Sequence, residues 1–457
     1  MTANHSASPH PYWLPQVEQL LQQDTIQPCI EAISRPVVTG IIRQVLADIR
    51  RSEHFKTQGG QNLDITGMIV SACENRKRDR QSRVLNATGI IVHTNLGRSP
   101  VDPQLWQQVT ELNTGYCNLE MSLHDGKRGM RNGLLPTLIH HWTGAEDALI
   151  VNNNAAAVYL ILTALASGKE VIVSRGEQVQ IGGGFRIPDI LAQSGCRLVE
   201  VGTTNITTAE DYLNAVTDDT ALVLMVHQSN FSIQGFTEAP DIREVAKNLP
   251  QHVRLVVDQG SGLSDETYAE GETSLRQYLN QGVDLVCCSG DKIPGGPQAG
   301  IIAGKAELIR TLAKHPMMRA FRPGRIVLSL LEALLVEKLN RSPAGEGIAE
   351  RLIRRLPELE NWADELAERW APYARKVMLE TQVGGGSVPS ETYAAYGLVL
   401  DLPGKPQSHL AALRQLPVPV IGYIRHQQLY LNLSTLLAHD REMFTAQLSD
   451  YLDGLSE

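Results

Sequence analysis

Lys292 closes the run Ser289-Gly290-Asp291-Lys292, which follows the apolar stretch Val283-Asp284-Leu285-Val286-Cys287-Cys288 and opens into Ile293-Pro294-Gly295-Gly296-Pro297. The apolar stretch predicts a buried strand, and open α/β sheets bind ligands at the carboxyl ends of their strands. A lysine there can form a Schiff base with an aldehyde cofactor, and Ser289 can hold a phosphate. Pyridoxal 5'-phosphate is the cofactor that asks for both.

Four other groups of residues converge on that chemistry. Asp258 ends the strand-like Val256-Val257-Asp258 and is followed by Gln259-Gly260-Ser261-Gly262. The 34 residues from Asp258 to Lys292 are enough for one strand–helix–strand crossover. An aspartate there either pairs with a pyridinium nitrogen, keeping the ring an electron sink, or caps a helix. Asn153, Asn154 and Ala155 stand between a buried strand and an apolar helix. They either present free amides to an anion or serve as a plain N-cap. His227 and Gln228 follow another strand and could reach the cofactor ring or its 3′-oxygen, the alternative being a structural histidine. Arg98, Arg319 and Arg322 are the fourth group. The spacing of the last two would put both on one helix face as an oxyanion clamp, against surface ion pairs.

The elements that must position these residues read as an alternation of strand and helix over 84–325. Strands are expected at Ala148–Val151, Glu170–Ser174, Arg197–Val201, Ala221–His227, Arg254–Asp258 and Val283–Cys288, with helices between them. That predicts an α/β domain with a mostly parallel sheet covered on both faces. A long helix over Ile326–Leu339 leads away from it. Residues 341–457 read as a small α+β domain, with strands at Lys376–Thr381 and Gly397–Leu402 and a hairpin of Val418–Tyr423 with Gln428–Leu433. Residues 1–83 read as a helical N-terminal domain with helices at Tyr12–Leu21, Val37–Ile49 and Ile65–Arg76. The basic cluster from Arg76 to Arg83 after it is either a solvated linker or a phosphate-contacting surface.

Bulk composition narrows the class. With 457 residues, 42% hydrophobic and 20% charged, the chain has ample core, and no apolar stretch is long enough to span a bilayer. The polar start is not that of a signal peptide, and six scattered cysteines without a CxxC pair fit a reducing cytoplasm and argue against zinc. A net charge of −9 disfavours a general nucleic-acid coat but leaves room for a local basic surface. The dinucleotide, P-loop and zinc-protease signatures are absent.

The chain resembles the bacterial L-seryl-tRNA(Sec) selenium transferases, fold-type-I pyridoxal phosphate enzymes with an aspartate-aminotransferase-like large domain. The resemblance spans nearly the full length. It is carried by Leu85-Asn86-Ala87-Thr88-Gly89 with His93-Thr94-Asn95-Leu96-Gly97-Arg98, by 143–148, 151–158, 185–189 and 229–236, and by Ser289-Gly290-Asp291-Lys292 with 295–300; 417–422 fits as well. It implies that Lys292 is the Schiff-base lysine and proton shuttle, that Asp258 partners the pyridine nitrogen, and that Arg98, Arg319 and Arg322 bind the anionic selenium donor, selenophosphate. It also implies a dehydroalanyl-tRNA intermediate, a tRNA held by the N-terminal helices, a cytoplasmic homodecamer built from dimers, and no membrane or metal.

The chain departs from the family pattern at several positions. Met121 and Ser122 replace Tyr-Asp, Gln180 a glutamate, Gln228 a threonine and Ile293-Pro294 a Leu-Leu, while Pro323-Gly324 follows Arg322. These keep two rival readings in view: a pyridoxal-phosphate β-eliminase or ammonia lyase acting on a small amino acid or amino-sugar acid, and a tRNA-binding paralogue without catalysis.

Overall fold

The computed structural model describes residues 13–455 apart from 59–61, 182–183, 228–232, 234, 265, 267, 270 and 388–390. The chain divides into two compact units, Met1–Val84 and Leu85–Glu457.

The first unit is helical. Val17–Leu21, Gln27–Ile33, Arg35–Arg51, Glu53–Gln58 and Ile65–Lys77 are its helices. Val38, Ile42, Leu46 and Ile49 recur at helical spacing and meet Ile65, Ile69 and Cys73 in a core of their own. Helix Gln27–Ile33 escapes a periodicity reading because it is short and begins with Pro28 in its first turn. Much of the basic cluster is engaged locally: Arg76 with Asp79 at 2.9 Å, Lys77 with Glu74 at 3.4 Å, and Arg80 with the Ala32 carbonyl at 2.7 Å.

The second unit is built on a seven-stranded sheet. Its strands are β1 (Asp147–Val151), β2 (Glu170–Ser174), β3 (Arg197–Val201), β4 (Thr220–Val226), β5 (Arg254–Gly260), β6 (Leu285–Ser289) and β7 (Gly300–Gly304). Their order across the sheet is β1-β7-β6-β5-β4-β2-β3. Only β7 runs antiparallel, to both β6 and β1. This is the mostly parallel sheet that the alternation predicts, with one strand added.

Successive strand residues enter opposite layers. Ala148 and Ile150 join the core beneath helices Pro103–Thr114, Leu135–Thr143 and Arg325–Leu339, while Leu149 and Val151 pack under Asn154–Ala166 and Ala306–Lys314. Burial on both faces explains why these strands read as unbroken apolar runs.

The C-terminal part carries a second sheet, with β8 (Ala374–Gly384), β9 (Tyr393–Leu400), β10 (Tyr423–Arg425) and β11 (Gln428–Asn432) in the order β10-β11-β9-β8. The expected hairpin forms only in its second half. Tyr423–Arg425 pairs with Gln428–Asn432, whereas Val420–Ile421 lies parallel to Leu85–Asn86. Ile90–Val92 likewise joins β8. Residues 85–92 thus hydrogen-bond to the C-terminal sheets, although in sequence they introduce the large sheet.

Candidate active site

Asp258 and Lys292 come together at the carboxyl edges of neighbouring strands. Parallel pairing sets Asp258 of β5 opposite Cys287 of β6, and Lys292 follows three residues beyond the end of β6. Asp258 is 9% exposed. Its Oδ1 accepts a 2.7 Å hydrogen bond from Asn154 Nδ2, and the Cys287 thiol approaches it at 3.7 Å. Burial pushes the Asp258 carboxyl above its ordinary range, opposed by the Asn154 hydrogen bond and then by the nearby Lys292 charge. Burial is likewise the main cause that lowers the Lys292 amine, with Asp258 pulling it back up. A buried carboxylate and a half-buried amine, each shifted toward its neutral form by burial, mark a candidate site for proton-transfer chemistry.

The loop around Lys292 is held from three sides. Ser99 Oγ donates to the Lys292 carbonyl at 2.5 Å, Ile293 N donates to the Ser261 carbonyl at 3.1 Å, and Gly296 N donates to the Gly290 carbonyl at 2.9 Å. Gly262 has φ +82°, and a Cβ there would meet the Pro294 ring at 2.6 Å, so glycine and proline fit each other. Ser289 is buried at the last position of β6, and its hydroxyl bonds to no other described residue.

The asparagines divide their labour. Asn153 is the N-cap of Asn154–Ala166 and accepts from Ala156 N at 2.9 Å, the plain capping role. Asn154 instead turns to Asp258, and its Oδ1 is buried with no partner. The Asn154 and Ala155 amides, at the first positions of the helix, have no partner among the described residues and could face an anion. Asn152 ties in the next segment, donating from N to the Phe321 carbonyl at 3.0 Å and from Nδ2 to the Ala320 carbonyl at 3.1 Å.

His227 donates its backbone N–H to the Asp258 carbonyl at 2.9 Å, and its Nε2 lies 3.6 Å from the buried Glu272. Gln228 lies outside the described residues, as does most of 229–234.

The arginines do not stand as their spacing predicts. Arg319 is exposed on the short helix Met318–Phe321, and Arg322 has left that helix with φ −65° and ψ 124°. Pro323 is the reason, because a residue preceding proline is pushed out of the α region. The two therefore share no helix face. Arg322 instead points to Glu120, 3.6 Å away. Arg98 makes a two-pronged contact with Asp291, at 2.8 and 3.0 Å, from a left-handed backbone position with φ +64°.

Several participants were not singled out by type or spacing: Asp291, Ser99, Glu272, Cys287 and Glu120. Asp291 had a signal, since it adjoins the lysine. The others become visible only when distant segments meet.

Among the departures, Gln180 Oε1 accepts from Arg186 Nε at 2.8 Å, Met121 is exposed, and the Ser122 amide donates within its own turn to the Lys127 carbonyl at 2.8 Å.

A family model described as L-seryl-tRNA selenium transferase matches residues 84–437, and one described as selenocysteine synthase N terminal matches residues 14–50. The chain belongs to the L-seryl-tRNA selenium transferase family. A relative from Alkaliphilus oremlandii named L-seryl-tRNA(Sec) selenium transferase is 37% identical over 463 residues, covering 96% of this chain and 98% of its own. One of the same name from Geobacter sulfurreducens is 39% identical over 448 residues, covering 93% and 96%. These selenium transferases form a pyridoxal-phosphate-dependent enzyme family. The solved structure of D-glucosaminate-6-phosphate ammonia-lyase shares the fold with a TM-score of 0.58 at 19% identity, over 84% of this chain and 99% of its own. No described helix is long and apolar enough to cross a membrane, and no group of three or more metal-ligating side chains occurs among the described residues.

Proposed function

We propose that this chain is an L-seryl-tRNA(Sec) selenium transferase, converting seryl-tRNA to selenocysteinyl-tRNA with selenophosphate as donor. The observation that carries the reading is Lys292 beside the buried Asp258 at adjacent strand ends, in a family that works with pyridoxal phosphate.

The residues suit that cofactor. Asp258 is a buried carboxylate in need of a cation, Asn154 Oδ1 is an orphaned acceptor, and the Ser289 hydroxyl with the Asn154 and Ala155 amides offers donors to a phosphate. Lys292, Asp258, Ser289, Asn154 and Ala155 would hold it. Asn153 supports it as the cap of the helix, and His227, with Gln228 after it, flanks it. Bound there, the cofactor supplies an electron sink for negative charge developing at Cα of the esterified serine.

The chain's own residues do the rest. Asp258 keeps its ring partner protonated through a charge-assisted contact. Lys292, whose amine burial biases toward the neutral form, takes the proton from Cα and then stands as the acid beside the departing β-hydroxyl. The selenium of selenophosphate adds to Cβ of the resulting dehydroalanyl group, Lys292 returns a proton to Cα, and water cleaves the P–Se bond to release phosphate, with Arg322, Arg319 and Arg98 offered to that phosphate. The match of residues 14–50 to the family's N-terminal model supports a tRNA-gripping role for the helical unit. A small-molecule lyase has no need of such a unit. A cytoplasmic homodecamer, and a division of residues 84–340 from 341–457 as catalytic and small domains, complete the reading.

The test is incubation of the purified protein with serylated tRNA and selenophosphate, followed by analysis of the esterified amino acid. Selenocysteine is the expected product. Unchanged serine with active cofactor would discard the assignment.

A further inference from the structure

Three guanidinium groups surround one carboxylate in the second unit. Glu120 accepts from Arg131 Nε at 2.5 Å and from Arg128 at 2.9 Å, and Arg322 Nη1 stands 3.6 Å away, outside hydrogen-bond range. The group carries a surplus of two positive charges. Arg128 is 74% exposed and reads as a surface ion, but Arg131 and Arg322 are 29% and 27% exposed. Arg322 Nε is buried with no acceptor among the described residues. A buried guanidinium N–H without a partner is costly enough that native structures rarely leave one standing.

From this we infer that Arg131 joins Arg322 in a subsite for the tetrahedral phosphoryl group of the selenium donor, with Glu120 as the carboxylate that aligns them. The inference deepens the function proposed above and rests on it for the identity of the ligand, but not for anion binding itself.

Local structure holds the parts in place. Residues 120–131 form a tight hairpin: Met121 bridges Arg128, and the Gly129 amide donates to the Glu120 carbonyl at 2.9 Å. Arg131 Nη1 reaches the Pro323 carbonyl at 3.4 Å, so the hairpin and the Arg322 loop are fastened together. That loop is in turn tied by Asn152 to the strand end from which Asn154 reaches Asp258. Of the nearby carboxylates, Asp125 accepts from its own turn at Lys127 N, and Glu332 from Leu134 N. Glu120 is the one aimed at the arginines. Its carboxylate bridges the guanidiniums as two oxygens of a phosphoryl group would, and its loose contact with Arg322 leaves that side open.

The experiment uses the full-length holoenzyme, with inorganic phosphate as the calorimetric probe and selenophosphate in the kinetics. R131Q is expected to weaken phosphate binding about tenfold or more. It should raise KM for selenophosphate by a similar factor, leaving KM for seryl-tRNA and the visible absorbance of the bound cofactor unchanged. R131K should recover only part of this, because an ammonium lacks the planar fork. E120Q should raise the same KM by a smaller factor, with kcat held. Unaltered phosphate binding in a folded R131Q overturns the subsite. A rise in KM for seryl-tRNA alone also overturns it, assigning the arginines to the RNA backbone, and tighter phosphate binding in E120Q overturns the aligning role. If wild type binds phosphate through Arg131 yet never uses selenophosphate, the anion site stands and the donor assignment fails.

Discussion

Replacing Asn154 with alanine should separate cofactor binding from helix stability. Asn154 sits at the first helical position, one residue after the cap, so N154A leaves the Asn153–Ala156 hydrogen bond intact. What it removes is the 2.7 Å donation to Asp258 Oδ1. A hydrogen bond to a charged group contributes about 1.5–3 kcal/mol, which as cofactor affinity is roughly 10- to 100-fold. The sign with pH follows from the causes acting on Asp258. Burial already raises its pKa, and Asn154 is the foremost group holding it down. Without Asn154 the carboxyl stays protonated to higher pH and meets the pyridine nitrogen without its charge. Cofactor affinity should therefore fall off with acid sooner in N154A than in wild type. Equilibrium dialysis followed by visible absorbance across pH 6–9 would measure it. N153A is the control: losing the cap should cost about 1 kcal/mol of stability with no displacement of the pH limb. Equal affinity and an unmoved limb in N154A would refute the link from Asn154 through Asp258 to the cofactor.

Three further outcomes are expected. K292A should abolish the visible absorbance of lysine-bound cofactor and the borohydride-fixed adduct seen by mass spectrometry; retention of either rejects Lys292. D291N removes a negative charge that raises the Lys292 amine and frees Arg98. The acidic limb of the pH–rate profile, set by Lys292 acting as the base, should move to lower pH, and stability should drop by about 1–2 kcal/mol because Arg98 is partly exposed. Glu177, accepting from Val226 N at 3.1 Å and the Tyr212 hydroxyl at 3.3 Å, is pushed up to about 8 by burial. Its protonated form stabilises the fold fully below the ordinary carboxylate range, and that contribution is lost as pH rises through 8. E177Q, neutral throughout, should gain on wild type between pH 5 and 9 by about 2 kcal/mol in urea melts, allowing for partial solvent access.

The sheet was legible where burial on both faces forces unbroken apolar runs, as in β4, β5 and β6. Gly300–Gly304 was not legible, since a five-residue run with glycine at each end looks like loop until β1 and β6 close on it. Asp258 and Lys292 could be found because strand ends are where chemistry gathers, and the offset between them fits one crossover. Arg322 was assigned by spacing to a helix face, and Pro323 overruled that spacing. The contacts Asn154–Asp258, Arg98–Asp291 and Arg322–Glu120 join segments far apart in sequence, and no local pattern encodes them.

The pairing of residues 85–92 with the C-terminal sheets has a mechanical consequence. From Val92 the chain runs only a few residues to Arg98 and Ser99, which grip Asp291 and the carbonyl of Lys292. A tilt of the C-terminal sheet is thus conveyed along a short leash to the lysine loop. During synthesis, moreover, Leu85 waits for Val420 before it has a partner. A fragment ending at 340 would keep every residue of the Lys292–Asp258 pair but leave this leash unmoored, which makes the intact second unit the smallest sensible piece to express.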